Sequence, residues 1–175
     1  IEGVLANKTI IQVTGGKYHT IVLCDDGKVY GFGYNAGGSL GDGTTISKSI
    51  PVAVDTSGVL KDEFIVKIFT GGHFTIALSK TNKLYSWGHN GYGQLGDGTT
   101  EMRTSPIAIN MDHFQDRLIV DIGGGFHHAF AITSKGEVFG WGRNLEGQLG
   151  LGHFVSQLTP TLIPLPSRYS KAFGK

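Results

Sequence analysis

The chain has 175 residues and a formal net charge of +1 at pH 7, with 28 glycines, 39% hydrophobic residues and 17% charged residues. Proteins that bind nucleic acid through its phosphates are usually markedly basic, so direct nucleic-acid binding is not expected. No apolar run reaches the length of about 18 residues that a membrane-spanning helix needs, and no secretory signal peptide is visible. We therefore expect no membrane partner.

Three copies of one sequence pattern follow one another along the chain. Gly33 is followed after 55 residues by Gly88, and Gly88 is followed after 54 residues by Gly142. The same two steps separate other members of the pattern, namely Pro51, Pro106 and Pro160, and also His19, Phe74 and His128. A period of this length is typical of repeated supersecondary units.

Each copy is predicted to form four short strands, because its apolar runs are rich in β-branched and aromatic residues and end at Gly, Asn, Asp or Ser. In the first copy these strands are predicted at 9–13, 20–24, 28–31 and 51–54. Tight hairpins between the second and third strands are indicated by Asp25-Asp26-Gly27, Lys80-Thr81-Asn82 and Ser134-Lys135-Gly136. The proline of each copy is predicted to begin the last strand. Four strands per unit predict a blade of a β-propeller, with little helix.

The glycine-rich run of each copy resembles the repeats of the regulator of chromosome condensation family. The second copy carries the resemblance most fully, as Trp87-Gly88-His89-Asn90-Gly91-Tyr92-Gly93-Gln94-Leu95-Gly96-Asp97-Gly98-Thr99. The other copies depart from it at Phe32, Ser39 and Leu151. The resemblance implies an all-β fold of three four-stranded antiparallel blades.

The same resemblance has consequences for domain organisation. Members of the family generally close seven blades into a ring. We therefore expect a single propeller segment at 1–166, with repeats near 9–54, 63–109 and 117–165, that is part of a larger ring or an arc closed by assembly. Residues 167–175 carry no repeat signal and are predicted to be a linker or a frayed end.

Several residues could suggest a catalytic, metal or cofactor site. The run Gly91–Gly96 matches G-x-G-x-x-G, but a turn follows it where a dinucleotide site needs a helix, so no nucleotide is expected to bind there. His127 and His128 are adjacent on a predicted strand and point to opposite faces, which disfavours a shared metal ion. His19, Phe74 and His128 are interpreted as a core position whose ring N–H is bonded to backbone. We predict no cofactor, no metal and no covalent catalysis.

Partner recognition is predicted at positions that differ between copies while the repeat frame is kept. One set follows the repeat glycine, and the family resemblance places it on one face of the propeller: Lys17, Tyr18, His73, Phe126 and His127. A second set is Tyr34, His89 and Arg143, residue types that often anchor interfaces, although free surface variation is an alternative. Neutral histidines at an interface predict weaker binding below about pH 6.5.

From the resemblance we expect a protein-interaction module. Its specific version would be guanine nucleotide exchange on a Ran-like small GTPase, with docking to chromatin. Two alternatives stay open: a structural arc that closes a ring by pairing with a second copy of itself, and a substrate-recognition scaffold within a larger multidomain protein. The expected location is intracellular, either nuclear or cytoplasmic.

Overall fold

Twelve strands form three separate four-stranded antiparallel sheets in a computed structural model, which describes residues 3–165. The first blade contains β1 (Ile10–Gly15), β2 (His19–Cys24), β3 (Val29–Gly33) and β4 (Lys48–Ala53). The second contains β5 (Ile65–Thr70), β6 (Phe74–Ser79), β7 (Leu84–Gly88) and β8 (Arg103–Ala108). The third contains β9 (Ile119–Gly124), β10 (His128–Thr133), β11 (Val138–Gly142) and β12 (Gln157–Leu162).

These sheets confirm the all-β prediction of three antiparallel blades. Within the part of the chain that the structure describes, the only helical element is one 3-10 turn, Met111–Phe114. The predicted tail, 167–175, lies outside the described residues.

Strand order in each sheet follows the chain, so every blade is a simple meander. The first strands of the three blades contact one another, which places β1, β5 and β9 on the inside of the arc. Gln12 joins β1 to β5, because its amide nitrogen donates to Ile68 O at 2.8 Å and its amide oxygen accepts from Ile68 N at 2.9 Å. Lys67 Nζ and Asp121 Oδ1, 2.6 Å apart, link β5 to β9.

The predicted hairpins are confirmed, whereas the predicted start of each last strand is wrong. Gly27, Asn82 and Gly136 have positive φ angles of 73°, 62° and 76° at the hairpin turns. The last strands begin three residues before the proline and continue past it. Each last strand lies at the outer edge of its sheet and pairs irregularly with the strand beside it. The proline, which has no backbone N–H, therefore removes no hydrogen bond from the sheet.

Large apolar side chains fill the space between blades, and two tryptophans lie at its centre. Trp87 and Trp141 are fully buried. The indole N–H of Trp87 donates to Ser39 O at 3.1 Å, and that of Trp141 donates to Gln94 O at 3.0 Å. Each tryptophan therefore bonds the backbone of the preceding blade, which contributes a hydrogen bond as well as buried area to the packing.

The segment before each blade places one more apolar residue between blades. Leu60 is 3% exposed and Phe114 is fully buried, each inside the cluster between two blades. Leu5 occupies the matching position before the first blade and is partly buried against its free side. Asn7, Asp62 and Asp116 end these three segments with positive φ. The sequence analysis missed this feature, although Gly3-Val4-Leu5 and Gly58-Val59-Leu60 repeat letter for letter.

Candidate protein-binding surface

A buried asparagine in each blade holds the glycine-rich loop in place. Asn90 is fully buried; its amide nitrogen donates to Asp97 Oδ1 and to Thr99 O at 3.0 Å, and its oxygen accepts from Leu95 N at 3.0 Å. Asn35 and Asn144 make corresponding bonds within their own loops. The residues just before these asparagines are Tyr34, His89 and Arg143, and their backbone N–H groups donate to Tyr18 O, His73 O and His127 O, respectively.

Paired glycines fix the other set of predicted residues, the one that follows the repeat glycine. A Cβ atom at Gly16 would lie 2.1 Å from His19 Cε1, and one at Gly71 would lie 1.9 Å from Phe74 Cε1. A side chain at either glycine would collide with these rings. Backbone hydrogen bonds also join the glycine segments of neighbouring blades. Lys17 N donates to Gly72 O, and Gly72 N donates to Phe126 O, both at 2.9 Å.

The structure brings all eight predicted residues together in one continuous surface. We call it the upper strip, and it consists of Lys17, Tyr18, Tyr34, His73, His89, Phe126, His127 and Arg143, together with Tyr92. Tyr34 and His73 have ring centroids 5.7 Å apart, as do His73 and Phe126. Phe126 and His127 are 4.6 Å apart, and His127 and Tyr92 are 5.0 Å apart. The rings therefore run across all three blades without a break.

The strip combines exposed aromatic side chains with two cations, Lys17 and Arg143. Tyr18 is 60% exposed, Phe126 46% and Tyr34 44%, which is high for side chains of this size. Lys17 Nζ lies 4.9 Å from the centroid of the Tyr18 ring and 5.6 Å from that of Phe126. Arg143 lies over the Tyr92 ring at 5.4 Å. These contacts combine apolar area with positive charge on one accessible face.

Three residues of this surface were missed by the sequence analysis. Tyr92 stacks between His127 and Arg143, and Glu146 pairs with Arg143. Gln94 Nε2 lies 2.8 Å from His89 Nδ1 and 3.5 Å from His127 Nδ1, so it fixes both imidazoles. The signal for two of them was present, because Tyr92 and Glu146 stand at one repeat position that differs between copies.

Two histidines of the strip, His73 and His127, have a lowered pKa. Burial lowers the pKa of His73, with nearby Lys17 and His89 acting in the same direction. Burial lowers the pKa of His127 to about 4, and the charges of His89 and Arg143 contribute to that shift. Protonation of His127, and with it the predicted weakening of binding, is therefore expected in a more acidic solution than pH 6.5.

His19 does not behave as the sequence analysis expected. It is 3% exposed, and neither ring nitrogen has a hydrogen-bond partner. Neighbouring backbone groups are already paired, since Gly16 N donates to His19 O and Tyr34 N donates to Tyr18 O. The predicted backbone bond to the ring is wrong for this reason, and burial lowers the pKa of His19 to about 4, with His73 adding to the effect.

The other features considered from the sequence have plain structural settings. The run Gly91–Gly96 connects β7 to the antiparallel β8, so it lacks the parallel strand-helix-strand setting of a dinucleotide site. Among residues 3–165, no three His, Cys, Asp or Glu side chains are grouped so that they could hold a metal ion. No helix in that range is long and apolar enough to cross a membrane.

Comparison with known proteins shows similarity over most of the chain. The profile of the regulator of chromosome condensation (RCC1) repeat matches residues 26–78, 82–132 and 135–173. The ultraviolet-B receptor UVR8 of Arabidopsis thaliana is 34% identical over 157 residues, which cover 90% of this chain and 34% of that protein. Human HERC2, an E3 ubiquitin-protein ligase, is 34% identical over 161 residues, which cover 91% of this chain and 3% of that protein.

A solved structure has the same fold as the three blades. The crystal structure of human WBSCR16 superposes with a TM-score of 0.83 at 28% identity, covering 95% of this chain and 42% of that one. The chain thus spans about a third of UVR8 and less than half of the solved WBSCR16 chain.

Proposed function

The chain belongs to the RCC1 repeat family, and we propose that it is a protein-interaction module that binds its partner through the upper strip. The observation that carries this proposal is the unbroken row of exposed and half-buried rings across three blades. Interfaces are enriched in aromatic residues and arginine, and a few such residues provide most of the binding energy.

Rigid support makes the strip suitable for recognition. The paired glycines and the buried asparagines fix the backbone on both sides of it, and Gln94 holds two of its imidazoles. Side chains that are already ordered lose less conformational freedom on binding, so more of their contact energy appears as affinity. The exposed rings thus provide contact area at a low entropic cost.

The test compares which partner proteins bind to the wild type and to two double variants. The double variant Tyr18→Ala/Phe126→Ala removes the centre of the strip, and Ile46→Ala/Ile50→Ala removes exposed apolar side chains at the outer edge of the first blade. We expect partners to be retained by the wild type and the outer-edge variant and lost by the strip variant. Equal retention by all three forms would exclude the strip as the binding surface.

Family membership also supports the finer proposal that the partner is a Ran-like small GTPase, with docking to chromatin. In this version, the strip contacts the GTPase and promotes guanine nucleotide release without covalent chemistry or a cofactor. The measurement is the release of a fluorescent GDP analogue from Ran, which the protein should accelerate and the strip variant should not. Unchanged release at a saturating concentration of the protein would contradict this version and leave the broader one standing. A nuclear or cytoplasmic location goes with this proposal.

A second candidate function is assembly, and the free side of the third blade favours it. In the second blade, Ile76 and Leu78 are 1% and 5% exposed because the third blade covers them. At the matching positions of the third blade, Phe130 is only partly buried and Ile132 is 37% exposed, beside an open cavity of about 440 Å³. A second copy could cover this face with its first blade, and a defined multiple of the monomer mass in light scattering would support that arrangement.

A monomer at all concentrations would favour the third alternative, a substrate-recognition scaffold, as the similarity to HERC2 also does.

A further inference from the structure

We infer that the partner segment that occupies the upper strip is an extended peptide that carries a carboxylate beside an apolar or aromatic side chain, with the carboxylate on Lys17. This inference rests on the proposed function and names the chemistry of the partner. It depends on the charges, the shape and the length of the strip.

Charge on the strip is unbalanced in one place. Glu146 lies beside the strip, and its carboxylate is engaged with both terminal nitrogens of Arg143. Lys17 takes part in none of the ion pairs formed within residues 3–165. Its ammonium group therefore keeps its N–H donors for an anionic group from outside the chain.

The position of Lys17 favours a directed contact. Its Nζ lies near the Tyr18 and Phe126 rings, which restrict the flexible side chain and present the cation beside apolar surface. The matching positions in the other two blades are Gly72 and Phe126, so this repeat position carries a cation in the first blade only. A bound segment can therefore be oriented by its charge.

Beside Lys17, a shallow depression of about 320 Å³ lies where β1, β5 and β9 end. It is lined by the paired glycines of the three blades and flanked by Lys17 and Phe126. Because most of its wall is bare backbone, a partner side chain can enter without displacing a side chain of this protein. An apolar residue next to the carboxylate can fill this space while its neighbour contacts Lys17.

The length of the ring row selects an extended segment. From Tyr34 to Tyr92, the four ring-to-ring steps of 4.6–5.7 Å give a row at most about 21 Å long, which roughly six residues of extended chain can follow. Rings along this row can pack against alternate side chains of such a peptide.

The experiment selects random displayed peptides about eight residues long on the wild type, on Lys17→Met and on Lys135→Met. Lys135 is an exposed lysine on the hairpin turn of the third blade and serves as the matched control. Peptides selected on the wild type and on Lys135→Met should be enriched in an Asp or Glu next to an aromatic or large aliphatic residue. Selection on Lys17→Met should remove the carboxylate enrichment and keep the apolar one.

Synthetic versions of the selected peptides then provide the quantitative test. Replacing their carboxylate by the amide should weaken binding to the wild type about fivefold, as should Lys17→Met, and the two changes together should cost no more than either alone. No carboxylate enrichment, or enrichment that persists on Lys17→Met, would overturn the inference and leave the proposed function intact. Selected peptides that bind Tyr18→Ala/Phe126→Ala as well as the wild type, or the absence of any strip-dependent peptide, would contradict the proposed function itself. A concentration-dependent dimer that blocks peptide binding would overturn the inference by assigning the strip to a second copy.

Discussion

Trp141 and Phe126 are both large aromatic residues of the third blade, but they have opposite surroundings. Trp141 is fully buried against the second blade, and Trp87 repeats its position and its hydrogen bond one blade earlier. Phe126 is 46% exposed, and the equivalent positions carry Lys17 and Gly72. The framework between blades must satisfy the same packing each time, so its residues repeat. The strip has no such requirement, and its residues differ.

The variant Trp141→Ala is the strongest test of this difference between framework and strip. Truncation of a large buried aromatic side chain leaves a cavity and removes the indole hydrogen bond to Gln94 O, so the free energy of unfolding should fall by about 3–5 kcal/mol. Chemical denaturation at neutral pH measures this change. A loss below about 1 kcal/mol would show that the packing between blades is not what stabilises the protein.

The next largest expected effect is the pH dependence that His19 gives to the free energy of unfolding. Its pKa is lowered to about 4 in the folded protein, so the unfolded chain binds a proton first as the pH falls below about 6.5. The free energy of unfolding should therefore decrease between about pH 6.5 and about 4 and then level off, by on the order of 3 kcal/mol from this residue. The variant His19→Phe, which introduces the residue that Phe74 supplies at the same repeat position, should lack this part of the decrease. Identical pH profiles for the two proteins would contradict the neutral, unpartnered His19.

Loss of the loop asparagine should have a smaller effect that depends on the blade. Asn90→Ala leaves Leu95 N–H without its buried acceptor and removes a donor from Asp97, so it should cost about 2 kcal/mol. In the third blade Leu151 replaces the aspartate, and the Asn144 side chain contacts only backbone groups. Asn144→Ala should therefore cost less than Asn90→Ala in parallel denaturation experiments. The reverse order would mean that the aspartate contact does not stabilise the loop.

Changes in the strip should affect stability least and binding most. Tyr18→Ala/Phe126→Ala truncates exposed side chains, so the free energy of unfolding should change by less than about 1 kcal/mol. Affinity for strip-binding peptides should fall at least about tenfold, which calorimetry can measure. A variant that unfolds more easily but binds normally would assign these residues to the framework.

The sequence predicted the fold because it follows from the repeat, and comparison of the copies selected the eight residues of the strip, whose role in binding stays a prediction. Strand patterns and hairpin turns are local, and alignment of three copies shows directly which positions vary. The strip is one continuous surface because equivalent repeat positions of neighbouring blades lie side by side. The same comparison could have found Tyr92 and Glu146, which share a variable position.

Other properties of the site could not be obtained in this way. The unpartnered nitrogens of His19 depend on which nearby backbone groups are already bonded, and a pattern of residue types carries no such information. The lowered pKa of His127 depends on His89 and Arg143, which come from two different blades. The early start of the last strands was missed because a proline was treated as a boundary, although an edge strand tolerates it inside.

The backbone hydrogen bonds between neighbouring blades recur at matching positions of the repeat. Gly43 N donates to Thr104 O of the second blade, and one repeat later Gly98 N donates to Leu158 O of the third blade. The second blade therefore makes these hydrogen bonds on both of its sides, whereas the first and third blades each make them on one side only. In a linear stack of this kind, local opening is easiest at the ends. Amide protons of β6 and β7 should thus exchange with deuterated solvent more slowly than their counterparts in the first and third blades.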